Sequence, residues 1–251
     1  MTRRALVTGA AGGLAAGIAS ALAADGFAHV DITYRTTPPD ATLAAIEAAG
    51  AKASATRVDF LGDEREIETA LGEIVRDGPI DTLVHAVGPL VVKRFERLSL
   101  DDYREMFDGN VRSAVLTARA VLPSMRAARF GRIVYFGMLG SNDARPFRGF
   151  TLYQAAKSAV VAFARCLALE EAGNGITVNV VVPGDIRDKS VARAQAHLRE
   201  ARNPRRRPGS YQDVADAVRF LVAAERDFVT GAVLDVTGGL TQADERNEPP
   251  S

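Results

Sequence analysis

Tyr153 and Lys157 stand four residues apart in the run Tyr153-Gln154-Ala155-Ala156-Lys157, at the start of a long helix-like segment. Residues i and i+4 share a helix face, so this spacing sends the phenol and the ammonium to the same side. A free tyrosine titrates near ~10, and a neighbouring cation stabilises its phenolate. The pair therefore predicts a Tyr153 with a lowered pKa, serving as a proton donor near neutral pH. Lysine is scarce in this chain: of 31 basic residues, the lysines are Lys52, Lys93, Lys157 and Lys189. A lysine at this spacing is thus less ordinary than usual, although Tyr-x-x-x-Lys alone is a weak pattern.

A second stretch with chemical potential is Thr8-Gly9-Ala10-Ala11-Gly12-Gly13-Leu14-Ala15, which follows an apolar run and opens a helical one. Glycines there permit a tight turn and let backbone N–H groups approach a pyrophosphate at a helix N-terminus. The spacing is Gly-x-x-x-Gly-x-Ala, with Ala15 where a third glycine would allow close helix packing. At the end of the next strand a carboxylate would favour NAD, whereas an arginine would pair with a 2′-phosphate. Asp31 lies too early, inside the strand; Arg35 and Thr36 sit at its end, which predicts NADP, against the plainer alternative of a solvated surface arginine.

These groups need a scaffold, and the hydrophobic pattern supplies one. Short β-branched or apolar runs at Ala5–Thr8, His29–Tyr34, Ala53–Asp59, Thr82–His85, Arg132–Phe136, Thr177–Val182 and Val233–Val236 alternate with Ala/Leu-rich helical stretches. Leu14, Ile18, Ala21 and Leu22 form one helical face, and Val160, Phe163, Leu167 and Leu169 another. Strands alternating with helices read as βαβ units, hence an α/β chain with a parallel sheet covered on both faces. Residues 1–251 read as one domain, with a polar, Arg-rich insertion over the sheet at 186–208 and a frayed tail at 244–251.

Composition narrows the classes. The chain is 47% hydrophobic and 25% charged, an ordinary globular balance, and 31 basic residues offset 31 acidic ones. Zero net charge argues against a nucleic-acid binder, and Arg205-Arg206-Arg207, with prolines on both sides, reads as a solvated hinge. A single cysteine, Cys166, excludes an intrachain disulfide and a Cys-based zinc site, and no metal is expected; Cys166 itself reads as buried packing. The apolar stretches look too short to span a bilayer and no secretory signal is visible, so a soluble cytoplasmic protein is expected, with no membrane partner.

The motifs together resemble the short-chain dehydrogenase/reductase family. The matches are Thr8-Gly9…Gly13-Leu14, Asp59, Gly88, Asn110, Tyr153/Lys157 and Pro183-Gly184, in the family's order over about residues 3–240. The stretches Gly175-Ile176-Thr177-Val178-Asn179 to Pro183-Gly184 and Asp213-Val214-Ala215 to Gly239 are especially similar. The Tyr34-Arg35-Thr36 turn resembles the NADPH-using, 3-oxoacyl-acyl-carrier-protein reductase-like branch. The resemblance implies a single Rossmann-like doubly wound domain with a seven-stranded parallel sheet, assembled as a homotetramer or dimer. It implies hydride transfer between a nicotinamide and a carbonyl or alcohol. Tyr153 is then the acid, Lys157 binds the nicotinamide ribose, and Asn110 holds a water that resupplies protons. Gly9, Ala11, Gly12, Gly13, Leu14, Arg35, Thr36, Asp59, Phe60, Ala86, Gly88, Pro183, Gly184 and Ile186 are the implied cofactor contacts, for NADPH/NADP+ with NADH less favoured.

Three departures stand out. The family's strand-end serine falls on Met138 counted from Gly131-Arg132-Ile133, or on Gly140 counted back from Tyr153, and neither offers a side-chain donor. Ser141, in a longer loop, is the candidate replacement, equally readable as a plain loop residue; a backbone N–H or the substrate itself is the other source. The usual Asn-Asn-Ala-Gly is His85-Ala86-Val87-Gly88, with His85 read as a structural hydrogen-bonding residue. Asp188 replaces a threonine near the expected pyrophosphate, with Arg187 and Lys189 beside it.

The leading expectation is an NADPH-dependent carbonyl reductase acting on a small-molecule carbonyl. An acyl-carrier-protein-linked substrate would call on Arg129, with Arg126 and Arg132 near it, although Asn174 lacks charge at a second basic position. The competing class is an NADP(H)-binding protein with little catalysis.

Overall fold

The computed structural model describes residues 2–186, 189–201 and 203–240. Seven strands, β1 (Arg4–Thr8), β2 (His29–Tyr34), β3 (Lys52–Arg57), β4 (Thr82–His85), β5 (Gly131–Phe136), β6 (Ile176–Pro183) and β7 (Val233–Val236), form one sheet in the order β3-β2-β1-β4-β5-β6-β7. Every pairing is parallel. The predicted strands recur within two residues at each end. The third stops at Arg57, not Asp59, because Asp59 turns the chain, its Oδ1 accepting from Leu61 N at 3.0 Å.

Among the described residues there are eight α-helices: α1 (Gly13–Ala24), α2 (Asp40–Ala48), α3 (Glu64–Arg76), α4 (Leu100–Phe107), α5 (Ser113–Ala128), α6 (Thr151–Glu171), α7 (Arg193–Ala196) and α8 (Tyr211–Val222). Strand residues alternate between two cores, as a period of two requires. Leu6, Leu83, Ile133 and Val180 pack against α3, α5 and α6, while Val7, Val84, Val134 and Val181 pack against α1, α2 and α8. Helix starts are set locally: Asp63 caps α3, and Ser99 and Ser210 form capping boxes with Asp102 and Asp213 on α4 and α8. α1 has Gly12 as its N-cap residue and no side-chain cap. Its approach to α8 depends on Gly17, where a Cβ would stand 2.3 Å from the Tyr211 ring; Ala15 is merely buried.

α6 corrects three expectations. Leu169 is exposed because it lies two residues past buried Leu167, on the far side of the helix. Cys166 is exposed for the same angular reason. The run Thr151–Asn174 is also long and apolar enough, by composition, to cross a membrane. Its apolar face instead packs against β5 and β6 through Val160, Ala164 and Leu167.

The insertion at 186–208 is pinned to α8. Arg193 Nε donates to Asp213 at 3.0 Å, and Arg207 donates twice to the same carboxylate, at 2.8 and 2.9 Å. Arg207 is therefore a paired anchor, not the solvated hinge expected of Arg205-Arg206-Arg207. Arg187 and Asp188 lie outside the described residues, as does the tail 244–251.

Candidate active site

The strand order reverses between β1 and β4, and a crevice opens beyond their carboxyl ends, the position where open α/β sheets bind ligands. One half, about 280 Å³, is lined by Gly9, Arg35, Asp59, Phe60, Ala86 and Gly88, with Tyr34, Val58, Leu61 and Pro89 that sequence reading missed. The other half, about 270 Å³, is lined by Gly12, Gly13, Leu14, Met138, Tyr153, Lys157, Pro183, Gly184, Ile186 and Lys189. Gly9, Ala86 and Gly88 border both, so the halves are continuous. Ala11 and Thr36 are not among the lining residues. A separate cavity of about 410 Å³ between the insertion and the end of β7 holds paired charges such as Arg207–Asp213 and neither Tyr153 nor Lys157.

The glycine turn is built for close approach. Gly9 (φ +68°) and Gly13 (φ +62°) adopt left-handed backbone that side chains resist. Thr33 holds the turn, its Oγ1 accepting from Gly9 N at 3.0 Å and its carbonyl from Ala10 N at 2.9 Å. The N-terminal amides of α1 are left uncapped toward the crevice, a setting for an anion.

Tyr153 and Lys157 share the crevice face of α6, as their spacing predicts. Lys157 Nζ donates to Phe136 O at 2.9 Å and lies 5.6 Å from the Tyr153 ring centroid. Burial, then the like charge of Lys189, lowers Lys157 to about 8. Tyr153 departs from expectation: burial pushes its phenol up to about 12. The phenol is thus a protonated donor throughout the neutral range. Asn110 sits in a π-turn, Asp108–Arg112, between α4 and α5, a distortion common at functional sites. Its Nδ2 donates to Met106 O (2.9 Å) and Pro89 O (3.1 Å), while its buried Oδ1 has no partner among the described residues. A Cβ on Gly88 would stand 2.8 Å from Lys157 Nζ and 2.9 Å from Asn110 Oδ1, so both polar atoms converge on that bare α-carbon. Bare glycines, an uncapped helix start and an orphaned buried acceptor fit a bound dinucleotide.

Ser141 is buried and turned inward: its Oγ accepts from Met138 N at 3.2 Å, and it does not line the crevice. Gly137 N donates to Val181 O at 2.9 Å. The amides of Gly137 and Met138 are therefore both used within the protein, and Met138 is among the residues lining the cleft. His85 makes the structural bonds expected of it. Its Nδ1 lies 3.0 Å from Thr8 Oγ1 and its Nε2 3.0 Å from Ser113 Oγ. Ser113 Oγ in turn donates to Gly109 O at 2.7 Å, which assigns the His85 proton to Nε2. Burial lowers His85 to about 3, so it is neutral.

Of the basic residues considered for a carrier protein, Arg132 is fully buried against carbonyls including Ala224 O, and Arg126 is paired with Glu171. Arg129 alone of the three keeps an exposed side-chain bond, to Gly173 O.

A crevice at the switch point with a protonated phenol beside a buried ammonium is equipment for hydride-transfer oxidoreductases built on a doubly wound sheet. Comparison with known proteins agrees. Residues 9–241 match the family described as enoyl-(acyl carrier protein) reductase. A 3-oxoacyl-acyl-carrier-protein reductase of Haemophilus influenzae is 34% identical over 241 residues, covering 94% of this chain and 97% of that protein. The acetoin dehydrogenase of Enterobacter cloacae superposes with a TM-score of 0.87 at 27% identity, over 100% of this chain and 99% of that one. A variant of the actinorhodin polyketide ketoreductase, solved with NADPH, gives 0.85 at 28% identity, over 96% and 98%. The chain belongs to the short-chain dehydrogenase/reductase family and, within it, resembles the 3-oxoacyl-acyl-carrier-protein reductases.

Proposed function

We propose that this protein is an NADPH-dependent carbonyl reductase. The observation that carries the reading is the convergence of Tyr153, Lys157 and the orphaned Asn110 Oδ1 around Gly88. A nicotinamide dinucleotide, when bound, supplies the hydride for the carbonyl carbon. Tyr153 donates its proton to the oxygen of the nascent alkoxide. Lys157, fixed by the Phe136 carbonyl, favours the phenolate that remains, and Asn110 Oδ1 offers an acceptor on the route by which the proton is replaced. Gly9, Gly12, Gly13 and Leu14 would hold the pyrophosphate, Asp59 and Phe60 the adenine, and Pro183, Gly184 and Ile186 the nicotinamide.

Preference for the 2′-phosphate rests on β2. Asp31 is buried and occupied by Arg4, whose Nε and Nη2 donate to it at 2.6 and 2.8 Å, so it has no oxygen to offer a ribose. Arg35 is exposed at the rim of the crevice and carries the cation that a phosphate needs. The NADPH reductase in the actinorhodin comparison supports the same choice. Exposed Leu100, Tyr103 and Leu169 on α4 and α6 support self-association as a homotetramer or dimer.

The test is a fluorescence titration with NADPH and NADH, followed by nicotinamide oxidation with a ketone panel, with Tyr153→Phe alongside. NADPH binding and turnover that vanishes in Tyr153→Phe is expected; preference for NADH overturns the role of Arg35. A second reading, a dinucleotide binder without catalysis, draws on Met138 in place of a donor and would show tight NADPH binding with no turnover. Reduction of a 3-oxoacyl carrier-protein thioester, the activity named for the Haemophilus influenzae relative, is the narrower alternative, and Arg129, with the exposed but Glu171-paired Arg126, is its basic contact.

A further inference from the structure

Beside Tyr153, and outside the residues that line the crevice, further aromatic side chains follow. Phe150 stands 6.3 Å from the Tyr153 ring and Phe147 6.2 Å from Phe150, centroid to centroid, so three rings run outward from the acid in a ladder. Arg145 closes the far end, its guanidinium 4.9 Å from the centre of Phe147. A second segment is docked on the same loop: Lys93 N donates to Gly149 O at 3.0 Å, and a Cβ on Gly149 would lie 3.3 Å from Val92 Cγ1. This segment carries Leu90 and Val92, each about half exposed, and Phe95, 74% exposed. Two segments, after β4 and after β5, thus meet at Gly149, just before Phe150 and the start of α6 that carries Tyr153, and the exposed apolar side chains they carry are candidates for a binding surface.

The polar side of the cleft is correspondingly poor. The position where the family resemblance places a serine falls on Met138 or Gly140, neither with a side-chain donor, and the amides of Gly137 and Met138 are spent on Val181 O and Ser141 Oγ. A small polar substrate would gain little here besides the Tyr153 hydrogen bond. A substrate with a flat apolar group would gain ring contacts at the separations aromatic pairs favour.

We propose that the substrate is a ketone bearing an aryl or fused-ring group next to the carbonyl, and that Phe150, with Phe147, determines this specificity. The inference rests on the reductase reading above. The ring lies along the Phe150–Phe147 ladder, facing the Leu90–Val92 segment, while its carbonyl meets Tyr153.

The experiment compares two 1,2-diketones, diacetyl and its analogue with one methyl replaced by phenyl, whose difference in intrinsic reactivity cancels when the ratio is compared between variants. NADPH-dependent kcat/KM is measured for wild type, Phe150→Ala, Phe147→Ala and Phe150→Tyr. Wild type is expected to favour the phenyl compound by about 100-fold, in the range that buried apolar groups provide. Each alanine variant is expected to lower that ratio by about tenfold, mainly through KM, and Phe150→Tyr to restore it because the ring face is kept. NADPH affinity measured in parallel reports whether each variant is folded, and Phe147→Ala, farther from the acid, supplies the result if Phe150→Ala fails to fold. Reduction of diacetyl as fast as its phenyl analogue, or a ratio unmoved in the alanine variants, overturns the specificity and leaves the reductase reading intact. Binding of NADPH with reduction of neither compound overturns both.

Discussion

Lys157 Nζ donates to the carbonyl of Phe136 at 2.9 Å, so the ammonium that serves Tyr153 is held by the end of β5 and not by the phenol itself. Burial and Lys189 lower this ammonium to about 8. A lysine of lowered pKa keeps its charge below that value and loses it above. The reduction rate is therefore expected to fall as pH rises through about 8. Lys189→Ala removes a like charge and should move the midpoint to higher pH. A pH–rate profile of both proteins checks the shift, and an unmoved midpoint would remove Lys189 from the account.

Tyr153→Phe keeps the ring and deletes the proton. The expected loss in kcat is about 10²–10⁴-fold, the usual contribution of a positioned acid, with NADPH binding retained. Steady-state kinetics and a titration separate the two effects. A variant retaining most of its kcat would move the acid elsewhere.

Arg35→Ala should raise the dissociation constant for NADPH by about tenfold to a hundredfold while leaving NADH within about twofold, because a charge-assisted phosphate contact contributes roughly 1.5–3 kcal/mol. Equal weakening of both cofactors would show that Arg35 acts on something they share.

Ser141 and Met138 invite opposite substitutions. Ser141 Oγ accepts the half-buried Met138 amide, so Ser141→Ala is expected to cost about 1 kcal/mol of stability with kcat changed only a few-fold. Met138→Ser adds a hydroxyl in the cleft and should raise kcat, since a well-placed oxyanion donor contributes about 10²–10³-fold when optimised. Urea unfolding and kinetics on both variants decide it. A collapse of kcat in Ser141→Ala at full stability would assign the serine to catalysis instead.

His85 makes the fold acid-sensitive. Its folded pKa, about 3, lies below the unfolded value of 6.5, so between those values the unfolded chain binds the extra proton. Stability contributed by neutral His85 is complete above about 6.5 and is lost as pH falls toward 3, with a limiting slope of roughly 1.4 kcal/mol per pH unit. His85→Asn removes the titrating group, and its melting temperature should fall less steeply between pH 6.5 and 4. Parallel slopes for the two proteins would place the acid sensitivity elsewhere.

The scaffold was legible because its signals are local. Apolar runs of strand length, glycines after the first run and the i, i+4 pair on α6 each act within one element. The strands therefore appeared within two residues of their places, and Tyr153, Lys157, Gly9, Gly13 and Gly88 were found as crevice residues. What failed was angular or collective. Leu169 and Cys166 were assigned to a buried face from composition and spacing, whereas the sheet covers only one side of α6.

The sequence by itself determined the alternation of strand and helix, the turn that brings backbone amides to a helix start, and the pairing of Tyr153 with Lys157, since each follows from backbone period and residue type. Only the tertiary structure decided the charges at the site. Burial holds Tyr153 protonated, and a neutral His85 ties β1 and β4 to α5. It also turned Ser141 away from the cleft and set Phe150 and Phe147 beyond the acid. Desolvation and contact depend on what distant segments place around a group, and no spacing along the chain encodes that directly.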